Sequence, residues 1–262
     1  MTDQRQPRYV QHLYLNKSNY VQVSSLVNVL SLCTTLRVLD LSDTGFPLDK
    51  IWAALKYGGL QIEKLYLGGC YAGKRPAECV QQVKEYFSMA VNLSHISFAN
   101  TVLPAELMKA MLLGLASNQQ LKPYHLDLSG TCEKNCCGVL EACLGNVQCS
   151  SISLRDNNME TEMQAVVHAL ANIKTMRRLD LGGSNLIALR RSSKQAHAVL
   201  INKTILDIVK LFSDDSALQL NVSLRTVIID NNHLGVEGLV DIATAISMWV
   251  LLRFEIIDFL VS

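Results

Sequence analysis

One short apolar motif, repeated eight times, constrains this sequence more than any other feature. It is clearest at residues 36–44, where Leu36, Leu39 and Leu41 are followed by the small polar Thr44. This spacing is typical of a leucine-rich repeat (LRR), in which the second and third apolar residues point inward from a short strand. The second apolar residues of the eight copies are Leu13, Leu39, Leu65, Ile96, Leu126, Ile152, Leu179 and Val227. Eight copies in one chain predict a solenoid of stacked strands.

The spacing of the copies predicts a helix after each strand. Successive copies lie 26–31 residues apart, except for a 48-residue gap between Leu179 and Val227. Apolar residues recur every three or four positions over residues 47–57, 76–90, 104–115, 160–173 and 204–212, which predicts helices there. Three of these segments have proline at the predicted first turn. The fold class is therefore α/β: a horseshoe-shaped LRR solenoid with a parallel concave sheet, outer helices and ribonuclease-inhibitor-like repeats.

The repeats predict a single LRR domain over residues 1–262, because each unit buries its apolar side only against its neighbours. Residues 184–224 are interpreted as one irregular, enlarged unit with an inserted loop, and two units with a degenerate strand are the alternative. Neither end of the sequence carries the polar cap that terminal repeats normally have. The hypothesis is a fragment or alternative product that lacks one or both caps.

Charge and hydropathy exclude several classes of function. The formal net charge is +1, so no strong field favours nucleic acid. No apolar segment has the length of a signal peptide or a transmembrane helix, which predicts a soluble, cytoplasmic chain without a transmembrane segment. The cluster of Arg177, Arg178, Arg190, Arg191 and Lys194 is interpreted as a solvated loop, with a membrane or phosphate contact as the alternative.

The eight cysteines are predicted to be buried thiols, with disulfides or a metal site as the alternative. Cys70 occupies the repeat position at which a small side chain bonds backbone groups under the turn. The sequence contains no phosphate-binding glycine loop, nucleophile elbow or paired Cys/His arrangement. We therefore expect no enzymatic activity, no catalytic residues and no cofactor.

The solvent-facing positions of the strands predict a surface that binds a protein partner. Residues between the inward ones point to the concave face, where tyrosine and arginine serve well as anchors. His95 and His125 lie on adjacent predicted strands near Asp127 and could together bind zinc, but two exposed histidines are the preferred interpretation. The predicted contact residues are Tyr14, Asp40, Lys64, Tyr66, His95, His125, Asp127, Arg155, Arg178 and Asp180.

Longer strings of the sequence resemble the LRR domain of the CARMIL family, whose members link capping protein, the Arp complex and class-one myosin. Each string alone is moderately specific, and their collinear order carries the resemblance. The strings are Leu39–Thr44 with Pro47–Asp49, Phe87–Ser88 with Leu93–His95, Leu103–Pro104, His125–Ser129, Ser153–Asn157, Ser223–Thr226 with Asp230–Asn232, and Asp241–Ala243.

The resemblance implies a regulator of actin filament capping in cell migration, located at the cytoskeleton and the plasma-membrane periphery. In the family, capping protein and membrane lipid are bound by a capping-protein motif and a PH-like domain, which this sequence lacks. The resemblance also implies about two further repeats between Asp215 and Leu224 that this sequence does not contain, and no binding residue of the family can be assigned to this chain. The alternative is a ribonuclease-inhibitor-like or immune-sensor LRR module unrelated to actin. An LRR GTPase-activating protein would need a placed catalytic residue, and nothing marks Arg155 or Arg178 for that role.

Overall fold

The structure is a computed structural model that describes residues 9–19, 21–132, 136–157, 159, 162–184, 224–232, 236, 240 and 258–260. The chain divides into two compact units, unit 1 over residues 1–133 and unit 2 over residues 134–262. Both are built from repeats in which parallel strands are joined through helices or loops. The predicted enlarged unit at 184–224 and the predicted helix at 204–212 lie outside the described residues, apart from Ser184 and Leu224.

Unit 1 contains five parallel strands and four α-helices. Each strand pairs with the next one along the chain, in a register that aligns equivalent repeat positions. The elements are β1 (His12–Tyr14), α1 (Val23–Leu32), β2 (Val38–Asp40), α2 (Trp52–Gly58), β3 (Lys64–Tyr66), α3 (Val80–Met89), β4 (His95–Ser97), α4 (Ala105–Ser117) and β5 (Tyr124–Asp127).

Unit 2 repeats the same arrangement in its described part. Its strands β6 to β9 also pair in parallel and in chain order. The elements are α5 (Cys136–Leu144), β6 (Cys149–Ser153), α6 (Met163–Ala171), β7 (Arg178–Asp180), β8 (Thr226–Ile228) and β9 (Asp258–Leu260). The eight predicted strands are confirmed, and the structure adds a ninth, β9, beyond the last predicted copy.

The repeated leucines form the core, as the motif predicts. Leu39, Leu41, Leu65 and Leu67 have no exposed surface, and their counterparts in later repeats are equally covered. Helices then cover the side of the strands to which these residues point, since α1 packs against α2, α2 against α3, and α3 against α4. The fold is therefore an α/β leucine-rich repeat structure with parallel strands and flanking helices.

The starts of two predicted helices differ from the prediction. Each opens with a separate 3-10 turn, at Leu48–Lys50 and at Pro76–Cys79, before α2 and α3 begin. Only Pro76 lies within a first turn, whereas Pro47 and Pro104 precede their helices in extended backbone. A proline fixes φ but leaves ψ open, so it can stand directly before a helix as readily as inside its first turn.

The turn after each strand has one recurrent backbone conformation. Its third residue beyond the strand has positive φ in every described repeat, and asparagine, aspartate or glycine supplies it in all but one. These residues are Lys17, Asp43, Gly69, Asn100, Gly130, Asp156, Gly183 and Asn231. The turn thus reverses the chain at the same place in each repeat.

A buried Cys, Thr, Asn or Ser lies under each turn from β3 to β8, and the equivalent Ser18 and Thr44 are half-buried. Thr101 donates to the Leu67 carbonyl at 2.8 Å, and Asn232 donates to the carbonyls of Leu181 and Ile229 at 2.9 Å each. The predicted role of Cys70 is confirmed, because its thiol donates to the Leu41 carbonyl at 3.3 Å. Seven of the eight cysteines are buried, with Cys132 half-buried, and all eight are reduced thiols.

An aromatic cluster joins three consecutive repeats of unit 1. Trp52 on α2 lies 5.7 Å from the Phe87 ring on α3 and 6.4 Å from the Phe98 ring after β4, measured between ring centroids. Tyr86 packs beside Phe87 at 5.1 Å, and its hydroxyl donates to the Gly59 carbonyl at 3.3 Å. All four side chains are buried. This cluster is the bulkiest part of the core of unit 1.

Candidate protein-binding surface

The parallel register arranges the outward residues of unit 1 in columns that run across the strands. One column contains His12, Val38, Lys64, His95 and His125. The next column contains Tyr14, Asp40, Tyr66, Ser97 and Asp127. These columns are the ones that the repeat spacing predicts, and we call their partly or fully exposed members, all except Val38, the strand face of unit 1. The structure therefore brings seven of the ten predicted contact residues together on this face.

Val38 departs from the predicted pattern. Its position between two inward residues predicts exposure, but only 7% of its surface is accessible. Its register neighbours His12 and Lys64 are both larger, which accounts for the cover over the smaller side chain. In unit 2, Ile228 occupies an outward position as well and is also buried. Val38 and Ile228 are therefore too little exposed to contact a partner, although their positions point outward.

The aspartates of the strand face have a structural role that the sequence interpretation missed. Asp40 accepts the N–H of Ser42 at 2.9 Å, and Asp127 accepts the N–H of Ser129 at 3.0 Å. A carboxylate that bonds the backbone two residues ahead stabilises a tight turn. The repeated Asp-Leu-Ser string at residues 40–42 and 127–129 is the signal that could have revealed this role. These residues therefore support the turns whether or not a partner binds.

The carboxylates of Asp127 and Asp40 differ in how many hydrogen bonds they accept besides the one from the turn. Asp127 also accepts the hydroxyls of Ser129 at 2.6 Å and Ser97 at 3.2 Å. Asp40 has no second hydrogen bond and no ion pair within the described residues. Of the two carboxylates, Asp40 is the one with capacity for a ligand.

His95 and His125 form a stacked pair. Their ring centroids are 4.5 Å apart and the ring planes differ by 22°. The Ser94 hydroxyl donates to the Glu63 carbonyl at 2.9 Å and lies 3.0 Å from Nδ1 of His95. Because that hydroxyl has one proton, Nδ1 of His95 must carry the proton of the second bond, which leaves Nε2 as an acceptor. Burial, the neighbouring His125 and Lys64 all lower the pKa of His95 and favour its neutral form.

The tyrosines are the largest groups on the strand face. Tyr14 is 60% exposed and its ring lies 6.3 Å from that of His12, in an edge-on arrangement. Tyr66 is partly buried two strands away in the same column. Burial, followed by the charge of Asp40 and the phenol of Tyr14, raises the pKa of Tyr66. The Tyr66 phenol is therefore neutral, and both tyrosines offer apolar ring surface with a polar tip.

The three predicted contact residues of unit 2 differ in availability. Arg155 donates from Nε to Asp180 at 3.1 Å and from both terminal nitrogens to Asp230. The hydrogen bonds to Asp230 and then to Asp180 raise the pKa of Arg155, so the guanidinium stays charged. Arg178 is exposed on β7. Arg155 and Asp180 are thus committed to each other, and only Arg178 is available in the manner predicted.

Asp230 is a member of this network that the sequence interpretation did not select. Arg155, Gly182 and Asp230 occupy one column of β6, β7 and β8, immediately after each strand. A side chain at Gly182 would collide with the Arg155 guanidinium and the Asp230 carboxylate, so glycine leaves the space in which they meet. A basic and an acidic residue on either side of a glycine in one column is the signal for this ion pair.

Two further observations concern the described part of the chain. No group of three or more His, Cys, Asp or Glu side chains there has the geometry to hold a metal ion. None of the described helices combines the length and the hydropathy needed to span a bilayer. Within the basic cluster, Arg177 and Arg178 are exposed, while Arg190, Arg191 and Lys194 lie outside the described residues.

Sequence comparison shows what these repeats are similar to. The human and mouse proteins called capping protein, Arp2/3 and myosin-I linker protein 3 are 30% and 29% identical to this chain over 280 residues, which include 89% of the chain. The chain carries a CARMIL-like leucine-rich repeat region. The mouse linker protein 2 is 27% identical over 165 residues, or 60% of the chain. No protein-family model matches the sequence.

The similarity to CARMIL proteins covers a limited part of those relatives. This chain spans about a fifth of the length of linker protein 3 and 12% of linker protein 2. Among solved structures, a TLR13–ssRNA13 complex aligns with 86% of this chain and 30% of its own, at 18% identity and a TM-score of 0.45. The repeat fold of the CARMIL-like region is established by its own strands, register and core.

Proposed function

We propose that this chain is a non-catalytic protein-interaction module of a CARMIL-like regulator of actin filament capping and actin-based cell migration. The observation that carries the proposal is the 30% identity, over 89% of the chain, to a protein named as a linker of capping protein, Arp2/3 and myosin-I. That name associates the repeat fold with the actin cytoskeleton, and we propose the cytoskeleton and the periphery of the plasma membrane as the location of this chain.

The strand face of unit 1 is the proposed contact surface for the protein partner. Aromatic side chains are enriched at protein interfaces, and this face presents two tyrosines and three histidines. Its charged groups Lys64 and Asp40 have no ion-pair partner within the described residues. In unit 2, by contrast, Arg155 satisfies Asp180 and Asp230 internally. Unit 1 therefore supplies most of the residues proposed to bind, and Arg178 is the contribution proposed for unit 2.

A capture experiment with paired tyrosine variants tests this proposal. The purified chain, its double variant Tyr14→Ala/Tyr66→Ala and the control Tyr57→Ala/Tyr71→Ala would be immobilised and exposed to cytosol. Tyr57 and Tyr71 are 73% and 45% exposed but belong to α2 and to the loop after β3, outside the strand face. We expect the chain and the control to capture the same actin-regulatory proteins in equal amounts. The strand-face variant should capture at least about ten-fold less of them, since clustered aromatic anchors dominate binding energy. Equal capture by all three, or capture without any actin regulator, would refute the proposal.

A second measurement addresses the activity of the chain alone. Actin filaments capped at their barbed ends would be mixed with the 262-residue chain, and elongation followed by fluorescence. We expect no uncapping, because we propose that this chain recruits a partner and does not itself contact capping protein. Restored elongation would show that these residues act on capping protein directly.

A further inference from the structure

The column of Tyr14, Asp40 and Tyr66 places a carboxylate between two phenol rings. These residues are direct register partners on β1, β2 and β3. Adjacent strands lie about 4.8 Å apart, so the three side chains rise from the sheet in one row less than about 10 Å long. The row is open to solvent, since Tyr14 is 60% exposed and Asp40 and Tyr66 are each partly exposed.

The negative charge of Asp40 is not balanced within this row. One carboxylate oxygen accepts the Ser42 N–H at 2.9 Å, and the other has no partner within the described residues. Lys64 lies on the neighbouring strand β3, but neither it nor any other lysine or arginine of the described residues lies within 4 Å of this carboxylate, the limit for an ion pair. The equivalent aspartate of unit 2, Asp180, shows the opposite arrangement, because Arg155 donates to it at 3.1 Å. In that repeat the protein itself supplies a guanidinium to this position.

The two tyrosine rings add to the attraction of this site for a cation. The face of a phenol ring attracts cations, and a guanidinium can stack flat against it while it donates hydrogen bonds in its own plane. In the register of the strands, Tyr14 and Tyr66 flank Asp40 from the two neighbouring strands. A lysine ammonium could meet the same charge, but it would gain less from two planar rings on either side of the carboxylate.

We propose that Tyr14, Asp40 and Tyr66 form a receptor for an arginine side chain of the protein partner. This inference rests on the proposed function, because it names the chemistry of the partner that the strand face binds. The arginine donates from its guanidinium to the outer oxygen of Asp40 and packs its plane against the tyrosine rings. The partner's arginine would thus pair with Asp40 as Arg155 pairs with Asp180 within unit 2.

The probe is a short acetylated peptide amide, Gly-Arg-Gly, titrated into the full chain and followed by NMR signals of the tyrosine rings. The matched probe replaces arginine by citrulline, which keeps the shape but has no charge. We expect saturable shifts of the Tyr14 and Tyr66 signals, with the arginine peptide bound about five- to ten-fold more tightly than the citrulline peptide. Equal affinities for the two peptides would overturn the proposal.

Two aspartate variants make the test specific. Asp40→Asn removes the charge but keeps an oxygen to accept the Ser42 N–H, so the turn is preserved. Asp127→Asn is the control, because Asp127 occupies the same column and makes the same turn contact, but its carboxylate is occupied by two serine hydroxyls. We expect Asp40→Asn to lower the affinity for the arginine peptide about five-fold. Asp127→Asn should change this affinity by less than about two-fold. Equal weakening by both variants would indicate general attraction and would also overturn the proposal.

The outcomes separate this inference from the proposed function. If actin regulators are captured through the strand face but Asp40→Asn binds them as tightly as the unchanged chain, the arginine receptor is wrong and the function stands. If the receptor prefers arginine but no actin regulator is captured, the receptor stands and the proposed function is wrong.

Discussion

At the scale of single residues, one position of the repeat serves both the turn and the surface. Asp40, Asp127 and Asp180 each accept a backbone N–H two residues ahead, at 2.9–3.0 Å. Ser97 accepts the Ala99 N–H in the same way at 3.3 Å. Where the outward column holds aspartate or serine, the side chain therefore supplies an acceptor to the turn. Only where a second oxygen stays unpaired, as at Asp40, does the residue also offer a binding group.

His95 provides a prediction about acid stability. Its pKa in the folded chain is below the ordinary value, so between that lowered pKa and the ordinary one near 6.5 the unfolded chain binds more protons than the folded chain. Stability contributed by neutral His95 is present above the ordinary pKa and declines as the pH falls through this window. We expect His95→Asn to lose less stability than the unchanged chain between about pH 7.5 and 5.5. Urea unfolding of both proteins at the two pH values measures the difference.

The variant is chosen to separate titration from packing. An asparagine amide can still donate to Ser94, so it replaces the proton that Nδ1 of His95 donates. His168→Asn, on an exposed position of α6, controls for the removal of a histidine. If His95→Asn and His168→Asn had the same pH dependence as the unchanged chain, the stacked pair would have no part in acid sensitivity.

At the scale of elements, the approach of neighbouring helices depends on glycine. A Cβ on Gly58, the last residue of α2, would overlap the backbone carbonyl oxygen of Leu30 on α1. Gly138 on α5 is exposed, and a Cβ there would meet no atom within 4 Å. The two glycines share a helical setting but differ in their surroundings, so the same substitution should act in opposite directions.

We expect Gly58→Ala to destabilise the chain by about 1–3 kcal/mol, because α1 and α2 must separate or distort. Gly138→Ala should instead stabilise it by about 0.5–1 kcal/mol through the better helix propensity of alanine. Urea midpoints at constant m-value report both changes. A stabilising shift in Gly58→Ala would contradict the close contact between α1 and α2, and a destabilising shift in Gly138→Ala would contradict the open surroundings of Gly138.

The elements also show how far the sequence determines the fold. The positions of the strands were predictable, because inward leucines recur at fixed spacing and any shift of register would expose them. Helices α1 and α5 were expected only from the spacing of the repeats, and not from apolar periodicity at their own residues. Helix α1 is rich in serine and β-branched valine, and α5 contains Gly138, so both lack strong local helix signals and form because the packing of the repeat places them.

The binding surface was predictable only in part, for a related physical reason. Periodicity determines which side chains point outward, so the columns of unit 1 were predicted correctly. It does not determine which polar groups are already paired with one another. The ion pairs of Arg155 join residues 25 and 75 positions apart, and only the register brings them into contact. The distinction between Asp40 and Asp180 therefore requires the structure.

At the scale of the whole molecule, a repeat protein gains stability from the contacts between neighbouring units. In unit 1 those contacts are unequal. The cluster of Trp52, Tyr86, Phe87 and Phe98 connects three repeats, whereas α1 packs only against α2 among the described helices. A perturbation at the cluster should spread along the unit, and one at α1 should stay local.

Hydrogen exchange of two core variants tests this expectation. Trp52→Ala should cost about 3–5 kcal/mol and raise the exchange rates of β2, β3 and β4 together, because it empties the space at the centre of the cluster. Leu26→Ala removes a residue of α1 that is 5% exposed, and it should raise exchange in α1 and β1 while β4 keeps its protection.

The control for the cluster is Trp52→Phe. The indole N–H of Trp52 is buried and has no hydrogen-bond partner among the described residues, so phenylalanine removes an unsatisfied donor while it keeps an aromatic ring in the cluster. We expect protection of β2 to β4 to be largely retained in this variant. If Leu26→Ala lowered the protection of β4 as much as Trp52→Ala does, unit 1 would unfold as a single cooperative block. The stepwise transmission of stability between neighbouring repeats would then be wrong for this part of the chain.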